Sequence, residues 1–350
     1  MNATVKTTAF VLMILTVAHA AAAVFPDRPL EGFGTETSGG LGGTPYAVTS
    51  LADSGPGTLR DAVSQSNRYV TFAVGGTIEL EATLRITGDH ITIDATSAPH
   101  PGITITAAHA GVTAALLDLK GASHMIVRNI RVIDAPDTNT GDNLRIWDYA
   151  HHIVIDHCSF RRAGDGNLDI CRDVHDVTIQ WCIIADTVKN SLIAERNYNI
   201  SLHHNLYVHG DERNPQIDDT AFVDFVNNVV FGWAGNYGTR VRNGASANIV
   251  GNYYVPDDGS DASDALVLDG AGPVYMDENI LPPACPADGT CGAMMEAPAV
   301  TTMDPETALR NVLAEAGAYP RDIDDADYAN QVGSSPVESH SWGAIKAMYR

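Results

Sequence analysis

The feature that most constrains this chain is a repeat. Five segments align without gaps, 124–133, 151–160, 175–184, 198–207 and 221–230, and they start 27, 24, 23 and 23 residues apart. A period in the low to middle twenties marks a solenoid. The third position is apolar in all five (Ile126, Ile153, Val177, Ile200, Val223) and the fifth in four, the alternation of a strand with one buried face. The 3.6-residue periodicity of helical repeats is absent, as is the leucine-dominated consensus of leucine-rich repeats. The expected fold is therefore all-β, a parallel β-helix. Less regular turns of the coil are expected at 77–86, 90–105 and 246–255. Asn205 and Asn228 share a repeat position, which predicts a ladder of side-chain amides hydrogen-bonded along the axis.

The ends of a solenoid expose an unpaired edge and need caps. Two short helices are available. One runs from Thr58 to Ser66, opening on a Thr-x-x-Asp box. The other starts with Asp304 as N-cap and Pro305 in the first turn, carries Leu309, Val312 and Leu313 as its apolar stripe, and stops at Gly317.

At the N-terminus, Lys6, the apolar run Ala9–Val17 and Ala18-His19-Ala20 read as a cleaved secretory signal over residues 1–23. One β-helix domain is expected over 24–350, with a C-terminal extension from about residue 256. No later run reaches the length of a membrane span, so a secreted protein with no membrane partner is expected, extracellular or, in a Gram-negative bacterium, periplasmic. The formal net charge of -22 excludes a basic nucleic-acid footprint. It would also repel an anionic polymer unless a bound metal and a few arginines focused attraction at one place. The acidic runs 257–269 and 322–327 read as solubility features. Of five cysteines, Cys285 and Cys291 are the expected disulfide; Cys158 and Cys182, at one repeat position, are bridged or stacked as thiols, and Cys171 is left over. A monomer is the default expectation.

Residues at equal offset in successive turns stack about 4.8 Å apart. Asp142 and Asp169 both fall at offset 18, Asp165 and Lys189 at offset 14, and Arg213 at offset 15. Three carboxylates, an ammonium and a guanidinium thus share one side of the coil. Oxygen ligands at that density suit Ca²⁺. Zinc would prefer the His151-His152 or His203-His204 pairs, but adjacent strand residues point to opposite faces, which argues against either pair as a chelate. Arg172 and Arg196 share offset 21 and read equally well as a basic strip for an anionic polymer or as ion-pair partners.

These residues resemble polysaccharide lyase family 1, the pectate lyases. The resemblance rests on Glu31-Gly-Phe-Gly with Gly39-Gly-Leu-Gly-Gly, Gly55-Pro-Gly-Thr-Leu-Arg60, Ile155-Asp-His-Cys-Ser-Phe160, Asp165-Gly-Asn-Leu-Asp169, Lys189-Asn-Ser-Leu-Ile193, His204-Asn-Leu and Arg213-Asn-Pro215, in that order. It implies a right-handed, single-stranded parallel β-helix that cleaves pectate (polygalacturonate) by calcium-dependent β-elimination. It further implies that Asp142, Asp165 and Asp169 ligate Ca²⁺, that Lys189 holds the substrate carboxylate and that Arg213 abstracts the proton. The family's second arginine is replaced by Asp218, and Arg240 or Arg242 from the next turn is the expected substitute. Two rival readings are a polygalacturonase-like hydrolase, which needs paired carboxylates, and a non-catalytic polysaccharide-binding β-helix.

Overall fold

Among the described residues, strand register defines a coil of two sheets. In the first sheet ten strands stack in parallel from Thr44–Val48 to Val274–Asp277, with His151 opposite His175, Val177 opposite Ile200 and Ile200 opposite Val223. Fifteen further strands form a second sheet that bends into two faces, and Ile183–Ala194 runs unbroken through both. The computed structural model describes residues 25–334 apart from 110, 111, 113, 139, 286 and 287, so the expected secretory signal lies outside the described residues. The result is a three-faced parallel β-helix of about ten turns. Strands continue past residue 256, as Leu266–Asp269 and Val274–Asp277.

Inward side chains alternate along each strand as the period-two pattern predicts. Ile153 and Ile155, Val177 and Ile179, Ile200 and Leu202, and Val223 and Phe225 are fully buried in one continuous core. The first of the five aligned segments is corrected by one residue. Ser123, not His124, pairs with His151, so Met125 and Val127 point inward while Ile126 is only partly buried. The gap-free alignment missed this because both neighbours are apolar.

First-face and second-face strands are separated by a left-handed residue in turn after turn: Asn129, His157, Trp181, His204 and Asn227 all have φ between 48 and 64°. The position after it carries the predicted ladder. Asn205 Nδ2 donates to Asn228 Oδ1 at 3.0 Å, and the ladder continues through Asn252 to Asn279. In the two preceding turns Cys158 and Cys182 take that place as stacked free thiols, Cys158 N lying 3.4 Å from Cys182 Sγ. The expected Cys285–Cys291 disulfide is not formed. Both are free, with Cys285 Sγ on the Leu266 carbonyl and Cys291 Sγ on the Ala293 carbonyl.

The glycine-rich N-terminal segment is a strap over the outside of the first face. Phe33 N, Gly34 N and Gly40 N donate to the outward hydroxyls of Ser201, Thr178 and Thr92. A Cβ on Gly34 would sit 2.3 Å from the Ile153 carbonyl oxygen, so only glycine lets the strap lie this close.

Both expected helices form. α1 (Leu59–Ala62) is shorter than expected and is capped by Thr58; α2 (Pro305–Glu315) is capped by Asp304. A third helix, α3 (Ile323–Gly333), was not foreseen. α2 does not close the end of the coil. With α3 it lies along the second face, where Leu309, Val312, Tyr328 and Val332 cover the outward side chains Ile183, Leu206, Val229 and Tyr253. The acidic run 322–327 is likewise structural. Asp322 caps α3, and the fully buried Asp325 accepts from Ser159 Oγ at 2.8 Å and Arg161 Nη1 at 2.6 Å, with Arg131 beside it.

Candidate active-site groove

A second asparagine ladder, unforeseen, organises the third face. Asn143 donates to Asn167 at 2.7 Å, Asn167 to Asn190 at 2.8 Å and Asn190 to Asn214 at 2.7 Å, all fully or nearly fully buried. The residues immediately before these asparagines are Asp142, Gly166, Lys189 and Arg213. One buried ladder therefore sets the level of four consecutive turns of the groove.

This register corrects the offset arithmetic. Leu144 pairs with Leu168 and Arg145 with Asp169, so Asp142 is level with Gly166 and lies three positions before Asp169. The equal offsets arose from the longer connection between Ile130–Ile133 and Leu144–Trp147, which the next turn does not share. The two carboxylates nonetheless meet, at Gly166. Its N–H donates to Asp142 Oδ1 at 3.0 Å, and a Cβ there would lie 2.7 Å from Asp169 Oδ1. The glycine of the Asp-Gly-Asn-Leu-Asp motif leaves space for a carboxylate. Asp169 also accepts from Leu192 N at 3.0 Å. Burial and the neighbouring carboxylates push Asp142 up to about 6 and Asp169 up to about 8, while Arg145 and Lys189 act to lower the first and Arg213 the second.

Lys189 Nζ donates to Asp165 Oδ1 at 2.7 Å. Arg213 sits on a bulge. Lys189 pairs with Glu212 and Leu192 with Gln216, so the later strand carries one extra residue between these pairs, and Arg213 has φ 65°. Bulges re-aim side chains and concentrate beside functional sites. Arg213 Nε is buried without a hydrogen-bond partner, and its nearest carboxylate, Glu212, is 3.7 Å away.

Arg172 and Arg196 are held in reciprocal ion pairs across two turns, Arg172 to Glu195 at 3.1 Å and Arg196 to Asp173 at 2.9 and 2.6 Å. They lie beyond the far end of the strands that begin at the groove, six positions past Gly166 in the case of Arg172. Arg240 pairs in register with Gln216, stacks on Tyr237 at 5.2 Å and reaches Asp269. Arg242 Nε stands 3.6 Å from Asp218 Oδ2, one turn across from the position where the family arginine is missing. Arg240 is level with Leu192, two turns along and three residues across from Lys189, about 14 Å by strand geometry. Arg145 was missed by sequence reasoning, although it precedes Asp169 by 24 residues, one period of the repeat. It is level with Asp169, stacks on Trp147 at 4.2 Å and reaches Asp118.

The expectation for adjacent histidines is corrected. His151 Nδ1 and His152 Nδ1 lie 2.8 Å apart, and His203 Nδ1 and His204 Nδ1 2.9 Å. His152 and His204 have left-handed φ values of 54 and 55°, which cancels the alternation of a regular strand. Among the described residues, two groups of three His, Cys, Asp or Glu ligand atoms lie within 4.8 Å of one another. They are His124 with His151 and His152, and His152 with His175 and Asp176; neither includes a groove aspartate. The groove aspartates offer a different donor set, all carboxylate oxygen. Burial first, and neighbouring carboxylates after it, hold two of them above the ordinary carboxylate pKa, a cost that a hard cation relieves, so the residues fit Ca²⁺.

Fold and groove thus define a parallel β-helix with a charged groove on one face. Curated relatives give this class a closer identity. The chain is 33% identical over 248 residues to a probable pectate lyase C of Emericella nidulans, covering 70% of this chain and 56% of that one. It is 33% identical over 258 residues to a probable pectate lyase C of Aspergillus oryzae, covering 71% and 59%. The chain spans less than two thirds of the length of these relatives. Among solved structures, a pectate lyase from Bacillus sp. N165 in complex with trigalacturonate matches with a TM-score of 0.63 at 16% identity, covering 83% of this chain and 99% of that one. The major allergen from cedar pollen matches at 0.64 and 18%, covering 83% and 92%. No family model matches. The chain is thus a homologue of proteins named pectate lyase, with their fold.

Proposed function

We propose that this protein is a secreted pectate lyase that cleaves polygalacturonate by calcium-dependent β-elimination. The observation that carries the reading is the juxtaposition of Lys189, held on Asp165, with a bulged Arg213 one turn away and two crowded carboxylates meeting at Gly166. Asp142, Asp165 and Asp169 would hold the Ca²⁺, which when bound supplies positive charge against the substrate carboxylate.

Removing the C5 proton of a uronate builds a second negative charge beside an ionised carboxylate, so that carboxylate must be neutralised. Lys189 does this by exchanging Asp165 for the substrate carboxylate, an exchange of like partners that leaves no ammonium unpaired. Arg213 has the Glu212 carboxylate 3.7 Å from its Nε, which is buried without a hydrogen-bond partner. We assign the Arg213 guanidine as the group that accepts the C5 proton. The bulge presents it one turn from Lys189, so the carboxylate and the proton of one sugar ring can be addressed together. A guanidine base requires loss of a proton that arginine normally keeps, and cationic charge from Lys189 and bound Ca²⁺ acts in the required direction. Water is assigned to protonate the departing C4 oxygen. Arg240 and Arg242 extend the cationic wall beyond Asp218 and are assigned to adjacent uronates.

Product chemistry on polygalacturonate tests this. Elimination gives an ultraviolet-absorbing unsaturated end that a chelator suppresses. Hydrolysis gives reducing ends without that absorbance, and a non-catalytic binder gives neither.

A further inference from the structure

The proposed lyase chemistry leaves unused a column of imidazoles on the first face, nine positions further round the coil from the groove. His90, His124, His152, Asp176 and Asn199 occupy one level of five successive turns, and all five have left-handed φ between 50 and 56°. Their preceding neighbours form a parallel column that includes His151, His175 and Tyr198. Rings stack along both: His90 on His124 at 4.5 Å, His151 on His175 at 5.0 Å and 2°, and His175 on Tyr198 at 4.8 Å. Because the left-handed residue turns its side chain back toward its neighbour, ring nitrogens face one another between the columns. His151 Nδ1 meets His152 Nδ1 at 2.8 Å, His175 Nδ1 meets Asp176 Oδ2 at 2.8 Å, and His152 Nδ1 stands 3.8 Å from Asp176 Oδ2.

From this geometry we infer that the column is a second metal site, for a d-block divalent cation such as Zn²⁺, centred on His152. Two groups of three ligand atoms within 4.8 Å of one another overlap there, one with His124 and His151, the other with His175 and Asp176. A tetrahedral zinc shell with bonds of about 2.0–2.1 Å needs donors roughly 3.3 Å apart. The contacts between His151 and His152 and between His175 and Asp176 must open slightly to reach that spacing, and that between His152 and Asp176, now 3.8 Å, must close by about half an ångström, movements open to partly exposed rings. Nitrogen donors select against Ca²⁺, just as the all-carboxylate groove selects against zinc. The site joins three turns of the coil, so an ion there staples them together.

The test is zinc titration of the full chain by calorimetry in calcium-saturated buffer. His152→Asn is the chosen variant, because Asn199 already occupies the same left-handed column. The wild type and Asp165→Asn are expected to bind one equivalent of Zn²⁺, and His152→Asn to bind it at least about tenfold more weakly. Cu²⁺ loaded on the wild type in the same buffer should show nitrogen hyperfine coupling in its paramagnetic resonance spectrum, a readout that needs no variant. The absence of saturable zinc binding, unchanged affinity in His152→Asn, or an oxygen-only copper spectrum overturns the inference.

Discussion

At the scale of single residues, the acidity of Asp142 and Asp169 makes the strongest demand. Both have folded values raised above the ordinary 3.8, to about 6 and about 8. The native state therefore holds more protons than the unfolded chain across that window, and without a cation stability falls as pH rises from about 4 to about 8. A cation that binds the ionised carboxylates must displace those protons. Calcium affinity is thus expected to rise with pH through the same window, with proton release on binding. Calorimetry in buffers of different ionisation enthalpy checks this; pH-independent affinity without proton release would contradict it. Arg242 faces Asp218 in place of the absent family arginine, so Arg242→Ala should raise KM for polygalacturonate several-fold with kcat little changed.

At the scale of elements, the third-face asparagine ladder makes groove geometry a property of the core. Asn190 bonds to the ladder on both sides and is wholly buried, so Asn190→Ala strands amide groups of Asn167 and Asn214. A loss of about 1–3 kcal/mol is expected in urea unfolding, together with a drop in lyase rate, since Lys189 precedes the altered residue. The apolar alternation was legible because it is what the core demands. The ladder at Asn143, Asn167, Asn190 and Asn214 was not, because its register depends on loop lengths that a strand-centred alignment passes over. The same cause set Asp142 and Asp169 at a false common level. Left-handed residues hid the approach of His151 to His152, since alternation holds only for a regular strand. Lys189, Asp165 and Arg213 were legible as neighbours because the turns containing them differ in length by a single residue, which lies between Arg161 and Gly166, and the Arg213 bulge is made up again before Val223.

At the scale of the whole molecule, the C-terminal helices are a side wall. The buried Asp325 sits between Arg161 and Arg131, and removing it leaves two buried guanidinium groups short of a partner. Asp325→Ala should cost about 3–5 kcal/mol. It should also loosen α3 from the second face, exposing Ile183, Leu206 and Val229. Chemical denaturation with hydrogen exchange on 305–333 would detect both effects; a variant as stable as the parent would deny the helices their structural role.

The central claim is that the coil brings Lys189 and Arg213 to one uronate, with Arg213 taking the proton. Its most direct test is the rate of unsaturated product formation from polygalacturonate, with calcium, by wild type, Arg213→Lys and the distant Arg172→Ala. The account predicts a fall of at least about a thousandfold in Arg213→Lys with polymer binding retained, and a near-normal rate in Arg172→Ala. A wild-type rate in Arg213→Lys would contradict it.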